Sequence, residues 1–291
     1  MLPVEHPRGT GAASRRPAAT ACIGLVVLAV AGACGHGTPD PPPAAGSASA
    51  GCHAGNLPAA DGERRELDGR AYLLDAPAGP ADSPLPLVLA FHGFRSSPDD
   101  LRGGTGLSQL ARTERFVAVY PEGHDGVALL GTTGRGWDLR PEQTRDRDFV
   151  RALLDRLEGE RCIDRRRIFA TGMSNGGFLS SLLGCQLADR LAAVAPVAGA
   201  LDLGGCRAAR PVPILLLYGS RDSIVSPDMV EGAVAWWAEH NACHASSSSD
   251  GCTHWNGCAA DVVACEGPQG HMWPFDATDR IWKFFASQVR P

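Results

Sequence analysis

In Gly172-Met173-Ser174-Asn175-Gly176 a serine hydroxyl stands between two glycines, at the spacing that lets a strand turn sharply into a helix. Such a turn pushes the serine oxygen clear of the backbone, and the glycines let neighbouring chain pass without a Cβ clash. The chemistry this offers is nucleophilic attack, with the start of the following helix favouring negative charge beside Ser174. An ordinary Gly/Ser turn looks the same over five residues, so context decides. An apolar strand is expected before it at residues 167–170 and a helix after it at about 175–187.

A serine on such an elbow needs an acid and a base, which follow it in the order acid, then histidine. Asp222, in Tyr218-Gly219-Ser220-Arg221-Asp222-Ser223, comes directly after an apolar strand at 213–218. It would fix the imidazole tautomer and stabilise the imidazolium. A turn-forming Asx residue is the bland alternative for Asp222. Asp228 is a rival acid, but it follows Pro227 at a helix start, where capping suits it better. Four histidines lie downstream. His240 closes a helix, and His244 and His254 sit among polar residues and cysteines. His271, in Gly267-Pro268-Gln269-Gly270-His271-Met272-Trp273-Pro274, occupies a loop between a strand and the last helix. A mobile, exposed loop would let it reach the serine as general base.

The charge on a tetrahedral intermediate would be held by two backbone N–H groups, each worth about 3–4 kcal/mol by analogy with other oxyanion holes. One belongs to Asn175. The other is expected from Phe91-His92-Gly93-Phe94, at Phe94, with His92 holding that loop structurally.

These residues require a scaffold. The 291 residues suffice for one large α/β domain plus a leader, and 44% apolar with 20% charged residues fits an ordinary globular core. Apolar strands at 85–91, 116–120, 167–170, 192–197, 213–218 and 261–265 alternate with helical stretches at 148–157, 175–187, 227–240 and 278–289. That alternation predicts a mostly parallel sheet covered on both faces, with the site at the carboxyl ends of its strands. No insertion is long enough for a large lid domain, so the site should be open.

The N-terminus reads as a targeting segment over residues 1–34. Arg8, Arg15 and Arg16 precede an apolar run at 21–33 that is too short to span a membrane comfortably. Ala31-Gly32-Ala33-Cys34 resembles a bacterial lipobox, with Cys34 as the lipidation site; Ala31 departs from the usual Leu, and simple cleavage nearby is the alternative. The Arg pair fits twin-arginine export poorly. Residues 35–60, rich in Pro, Ala, Gly and Ser, read as a flexible tether, leaving 61–291 as the catalytic domain. Of ten cysteines, eight lie beyond Cys22 and Cys34. An even set in an exported chain implies disulfides, although eight allow about 105 pairings. No C-x-x-C pair supports zinc. A net charge of −5 without a basic block argues against nucleic acid as a partner.

Six short motifs then carry a family likeness: Phe-His-Gly at 91–93, Tyr120-Pro121-Glu122-Gly123, Gly136-Trp137-Asp138, Asp148-Phe149-Val150, Gly-Met-Ser-Asn-Gly-Gly at 172–177 and Gly-His-Met-Trp-Pro at 270–274. Over about residues 60–289 the chain resembles the polyhydroxybutyrate depolymerase/feruloyl esterase group of carboxylesterases, lipoprotein esterases included. The resemblance implies an α/β-hydrolase fold, Ser174, Asp222 and His271 as a triad, and Phe94 with Asn175 as oxyanion donors. It implies Trp137 and Trp273 as cleft-lining residues, with core packing the alternative for each, and Cys243 paired with Cys258. A Cys252–Cys265 bridge would suit a hairpin, leaving Cys185–Cys206 and Cys52–Cys162. These depolymerases often have Cys where Phe94 stands; only a backbone N–H acts there, so the pocket rather than the chemistry would differ.

The reaction expected is hydrolysis of a carboxylic ester, of a hydroxyalkanoate polyester or of a feruloylated or acetylated polysaccharide. It would run through an acyl-enzyme, without metal or organic cofactor, in an extracytoplasmic monomer touching membrane only through its lipid anchor. The same triad would serve an acyltransferase or a peptidase, and a catalytically silent binding module is the reading from a different class.

Overall fold

The computed structural model describes residues 47–291 apart from 54, 81, 82, 130, 141, 142, 201–203 and 205; the leader and Cys34 lie outside the described residues. Its strands begin with β1 (Ala60–Leu67), β2 (Arg70–Ala76) and β3 (Leu85–Phe91), followed by helices α1 (Pro98–Thr105) and α2 (Leu107–Glu114). Next come β4 (Val117–Pro121), β5 (His124–Leu129), β6 (Thr132–Gly136), α3 (Arg145–Glu160), β7 (Ile163–Met173) and α4 (Asn175–Gln186). The chain closes with β8 (Ala193–Val197), β9 (Ile214–Gly219), α5 (Pro227–His240), β10 (Ala245–Ser249), β11 (Cys252–Asn256), β12 (Val262–Gly267) and α6 (Ala277–Ala286).

Ten strands form one sheet in the order β1-β2-β4-β3-β7-β8-β9-β12-β11-β10. The six central strands, β4 to β12, are parallel. Two strands at each edge are antiparallel. β3 shows why the middle must be covered twice. Leu87, Leu89 and Phe91 pack on one face with Phe149, Val150 and Leu153 of α3, while Val88 and Ala90 pack on the other with Leu101, Leu107 and Ile281. A strand buried on both faces has no polar alternation, so it reads as a continuous apolar run. α3 buries one stripe, Phe149, Val150, Leu153, Leu154 and Leu157. α4 is buried along all but its last residue, which is why it carries no charged side chain on any face.

The sequence misses α1, α2, the antiparallel edge strands β1, β2, β10 and β11, and the hairpin β5–β6. α1 contains Gly103-Gly104 and α2 is largely polar, so propensity is weak and the sheet supplies their stability. The hairpin forms a separate two-stranded sheet with little buried surface, hence no apolar period to detect.

The tether expected over 35–60 ends earlier. Ala48 bridges Asp164, the Ser49 amide donates to the Ile163 carbonyl at 2.9 Å, and the Ser49 hydroxyl donates to the Arg161 carbonyl at 2.7 Å. Cys52 then bonds to Cys162. Backbone pairing and a disulfide hold this stretch without burying large apolar side chains, so its composition reads as linker. The remaining bridges are Cys185–Cys206, Cys243–Cys258 and Cys252–Cys265, the last joining directly opposed residues of β11 and β12. All four pairs agree with those expected.

Candidate active site

Four loops at the carboxyl ends of the parallel strands bring the candidate residues together. Ser174 follows β7 with φ 54° and ψ −121°, a left-handed conformation for a residue with a side chain. Strain of this kind costs about 1–3 kcal/mol and persists only where the surroundings impose it. Here the Ser174 amide donates to the Val197 carbonyl and the Ser174 carbonyl accepts from the Phe178 amide, each at 2.9 Å. Gly176 has to be glycine because a Cβ there would run into the Phe91 carbonyl oxygen.

His271 Nε2 lies 2.8 Å from the Ser174 hydroxyl and its Nδ1 lies 2.7 Å from Asp222 Oδ2. The other Asp222 oxygen accepts from the Ile224 and Val225 amides at 2.8 and 2.9 Å. Burial alone would raise the Asp222 pKa; the Val225 amide, His271 and the Ile224 amide outweigh it and hold the carboxyl below its ordinary value. Asp228 is exposed on the first turn of α5, whose cap is Ser226, and Asp222 is the acid that reaches the histidine. Nor does the His271 loop hang free. Ser220 and Arg221 amides donate to the Gly267 and Gln269 carbonyls, Arg221 Nε donates to the Pro268 carbonyl, and Gln269 Nε2 donates to the Tyr218 carbonyl. Gly219 permits this approach, since a Cβ there would meet the Gln269 carbonyl. Acid and base loops are thus laced into one unit rather than mobile.

The two candidate oxyanion loops are linked through Trp137. The buried Asn175 side chain accepts from the Trp137 amide at 2.7 Å and donates to its carbonyl at 3.1 Å. The Trp137 indole N–H donates to the His92 carbonyl at 2.8 Å, and its ring meets Phe91 edge-on at 5.1 Å. Gly93, between His92 and Phe94, lies close enough that a Cβ there would be 3.5 Å from the Ser174 Cβ. His92 accepts from the Gly123 amide at Nε2 (2.9 Å) and donates from Nδ1 to the Gly93 carbonyl (2.7 Å). Burial, helped by Arg135 and Arg70, lowers its pKa to about 4, so it is neutral and structural, as expected.

Both tryptophans have structural roles beside any contact with the cleft. Trp137 is 0% exposed and braces the site from beneath, while bordering the cleft described below. Trp273 is half-buried against the α6 side of the core and donates to the Thr278 hydroxyl at 3.0 Å, fixing the start of α6 to the His271 loop. The sequence also misses what supports Trp137. Arg70 stacks over Phe149 at 3.8 Å, pairs with buried Asp146 at 2.8 Å, and Asp146 accepts from the Asp138 amide at 2.7 Å. Arg70 lies far in sequence from Asp138, Asp146 and Phe149, and no single motif joins the four.

Beside Asn175 opens a cleft of about 650 Å³, walled by β5, Trp137, Asp138, Leu139, Arg140, Gln143 and Arg145.

The fold, the nucleophile elbow and the Ser–His–Asp hydrogen-bond chain at the strand ends define an α/β-hydrolase. Residues 70–236 match the family described as esterase PHB depolymerase, and the chain belongs to it. That span contains Ser174 and Asp222 and stops short of His271. The chain is 33% identical over 172 residues to a bifunctional acetylxylan esterase/xylanase of Neocallimastix patriciarum, covering 59% of this chain and 24% of that protein. It is 32% identical over 164 residues to feruloyl esterase B of Piromyces equi, covering 54% and 30%. It therefore spans less than a third of the length of these two curated relatives. Acetyl xylan esterase from Aspergillus awamori shares the fold, with TM-score 0.55 and 14% identity over 79% of this chain and 97% of that one.

Proposed function

We propose that the protein is a serine carboxylesterase working through an acyl-enzyme, with Ser174 as nucleophile, His271 as general base and acid, and Asp222 as its orienting acid. The observation that carries this is the unbroken chain from Asp222 to His271 at 2.7 Å and His271 to Ser174 at 2.8 Å, ending on a serine at φ 54°. Ser174 Oγ attacks the ester carbonyl as His271 Nε2 takes its proton. The carbonyl oxygen becomes the oxyanion, held by the Phe94 and Asn175 amides. Collapse breaks the acyl–oxygen bond, and His271 returns the proton to the departing alcohol. Water, deprotonated by His271, then attacks the acyl-serine; the acyl–Oγ bond breaks, the acid leaves and His271 returns the proton to Ser174. Asp222 stays ionised throughout and stabilises the imidazolium.

Substrates of the feruloylated or acetylated polysaccharide kind are favoured by the named activities of the similar esterases, with hydroxyalkanoate oligomers suggested by the family. Four disulfides favour an oxidising compartment. The leader and a lipid on Cys34 would place the enzyme at the cell envelope. A fluorophosphonate probe tests the core of this reading. A covalent adduct on the wild type that disappears in Ser174→Ala is expected; no adduct, or one that survives the substitution, overturns it. A panel of feruloyl, acetyl-xylan and hydroxybutyrate esters, with a peptide amide as the contrasting substrate, then ranks the acyl groups.

A further inference from the structure

The cleft beside Asn175 has an electrostatic asymmetry that the triad chemistry does not require. Its wall carries two carboxylates and two guanidiniums, and three of these four charges are matched. Asp138 pairs with Arg140 at 2.9 Å, and Asp125 pairs with Arg135 of the neighbouring strand at 3.3 Å. Arg145 is the exception. It is exposed, and its nearest polar side-chain contact, at 3.3 Å, is His124 Nδ1, with no carboxylate pair among the described residues. The nearby acids of its helix are engaged elsewhere, Asp146 with Arg70 and Asp148 with Arg147, each at 2.8 Å. Arg145 is also the first residue of α3, where the helix end is positive and disfavours a cation. A guanidinium in this position has no opposite charge among the described residues to offset that cost.

Its location supplies a reason. The same cleft is walled by Arg145 and by Asn175, whose amide follows the nucleophile. A substrate seated on Ser174 and extending past Asn175 enters this space. A guanidinium matches a carboxylate in charge and in fork geometry.

We propose that this cleft is a second anchoring point for the substrate and binds a carboxylate through Arg145, so that preferred esters are acidic. This rests on the serine-esterase reading above. The carboxylate is carried on either the acyl or the alcohol part, and the test separates the two. Acyl-side recognition is read from 4-nitrophenyl hydrogen glutarate against 4-nitrophenyl valerate. Alcohol-side recognition is read from 3-carboxyphenyl butyrate against 3-carbamoylphenyl butyrate.

In one of these pairs, Arg145→Gln lowers the acid-to-neutral ratio of kcat/KM by about three- to ten-fold, the range for a partly exposed charged hydrogen bond. Turnover of the neutral ester is unchanged, and Arg145→Lys keeps most of the ratio. Arg151→Gln, an exposed arginine on the same helix paired with Asp189, leaves the ratio intact. Raising salt to about 0.5 M lowers the wild-type ratio without any substitution. A ratio that Arg145→Gln and salt leave unchanged in both pairs overturns the proposal. Neutral esters that the wild type does not hydrolyse, or that Ser174→Ala still hydrolyses, would overturn the esterase reading instead.

Discussion

Asp222 and His92 show how similar burial serves opposite electrostatic ends. Asp222 is buried yet ionised, because two amides and the imidazole face its oxygens. Asp222→Asn keeps the shape but removes the charge and the tautomer control, and kcat is expected to fall by about 10³–10⁴-fold, measured on a soluble phenyl ester. His92 is buried and neutral. Its folded pKa, about 4, lies below the ordinary 6.5, so the unfolded chain takes up the proton first as pH falls. Its contribution is therefore complete above pH 6.5 and is lost on going down to pH 4, by about 3 kcal/mol. Urea midpoints across this window should show a slope in the wild type that His92→Gln flattens. Trp137→Phe deletes the N–H that reaches the His92 carbonyl, leaving that buried oxygen unpaired. A loss of about 1–3 kcal/mol in stability is expected. With the Phe94 loop loosened, kcat falls about ten-fold while KM stays within about two-fold, and steady-state kinetics on one ester reads both.

At the scale of elements, the N-terminal stretch belongs to the domain. Residues 47–53 add a bridge to the start of β7 and close the 110-residue loop from Cys52 to Cys162. Removing that bridge by Cys52→Ala with Cys162→Ala should cost about 2–4 kcal/mol. A fragment starting at residue 61 should likewise melt below one starting at 47, compared by thermal unfolding; equal midpoints would return the stretch to the status of a tether. The acid and base loops form the second such unit. Because Gly219 faces the Gln269 carbonyl, Gly219→Ala should push the two loops apart and lower kcat at nearly unchanged fold, with circular dichroism as the control.

Across the molecule, the large exposed apolar side chains are not scattered. Ile224, Met229, Met272 and Phe275 sit on, or directly after, the loops that carry Asp222 and His271, and among the described residues only Val289 lies elsewhere. Apolar surface gathered around a site marks contact with an apolar partner. Replacing Met272 and Phe275 by Ser should slow hydrolysis of long-chain acyl esters several-fold while sparing acetate esters, measured as a ratio of kcat/KM values. Spared long-chain rates would leave that surface without a role in substrate choice.

Much of this was legible in the chain itself. The elbow, the ordered Asp222 and His271 and the covered parallel sheet follow from local rules, whereas the cysteine pairing was expected only through the family resemblance. A strained turn needs glycines at fixed spacing and a doubly covered strand needs an unbroken apolar run, but no local rule selects which cysteines meet. Tertiary structure alone decided what depends on residues distant in sequence. It made Trp137 a brace as well as a border of the cleft, because Asn175 and His92 meet it only after β3, β6 and β7 come together. It drew residues 47–53 out of the linker through partners more than a hundred residues away. It also left Arg145 without a carboxylate partner among the described residues, which no sequence pattern could show, since the pairing of charges depends on which side chains the folded loops bring within reach.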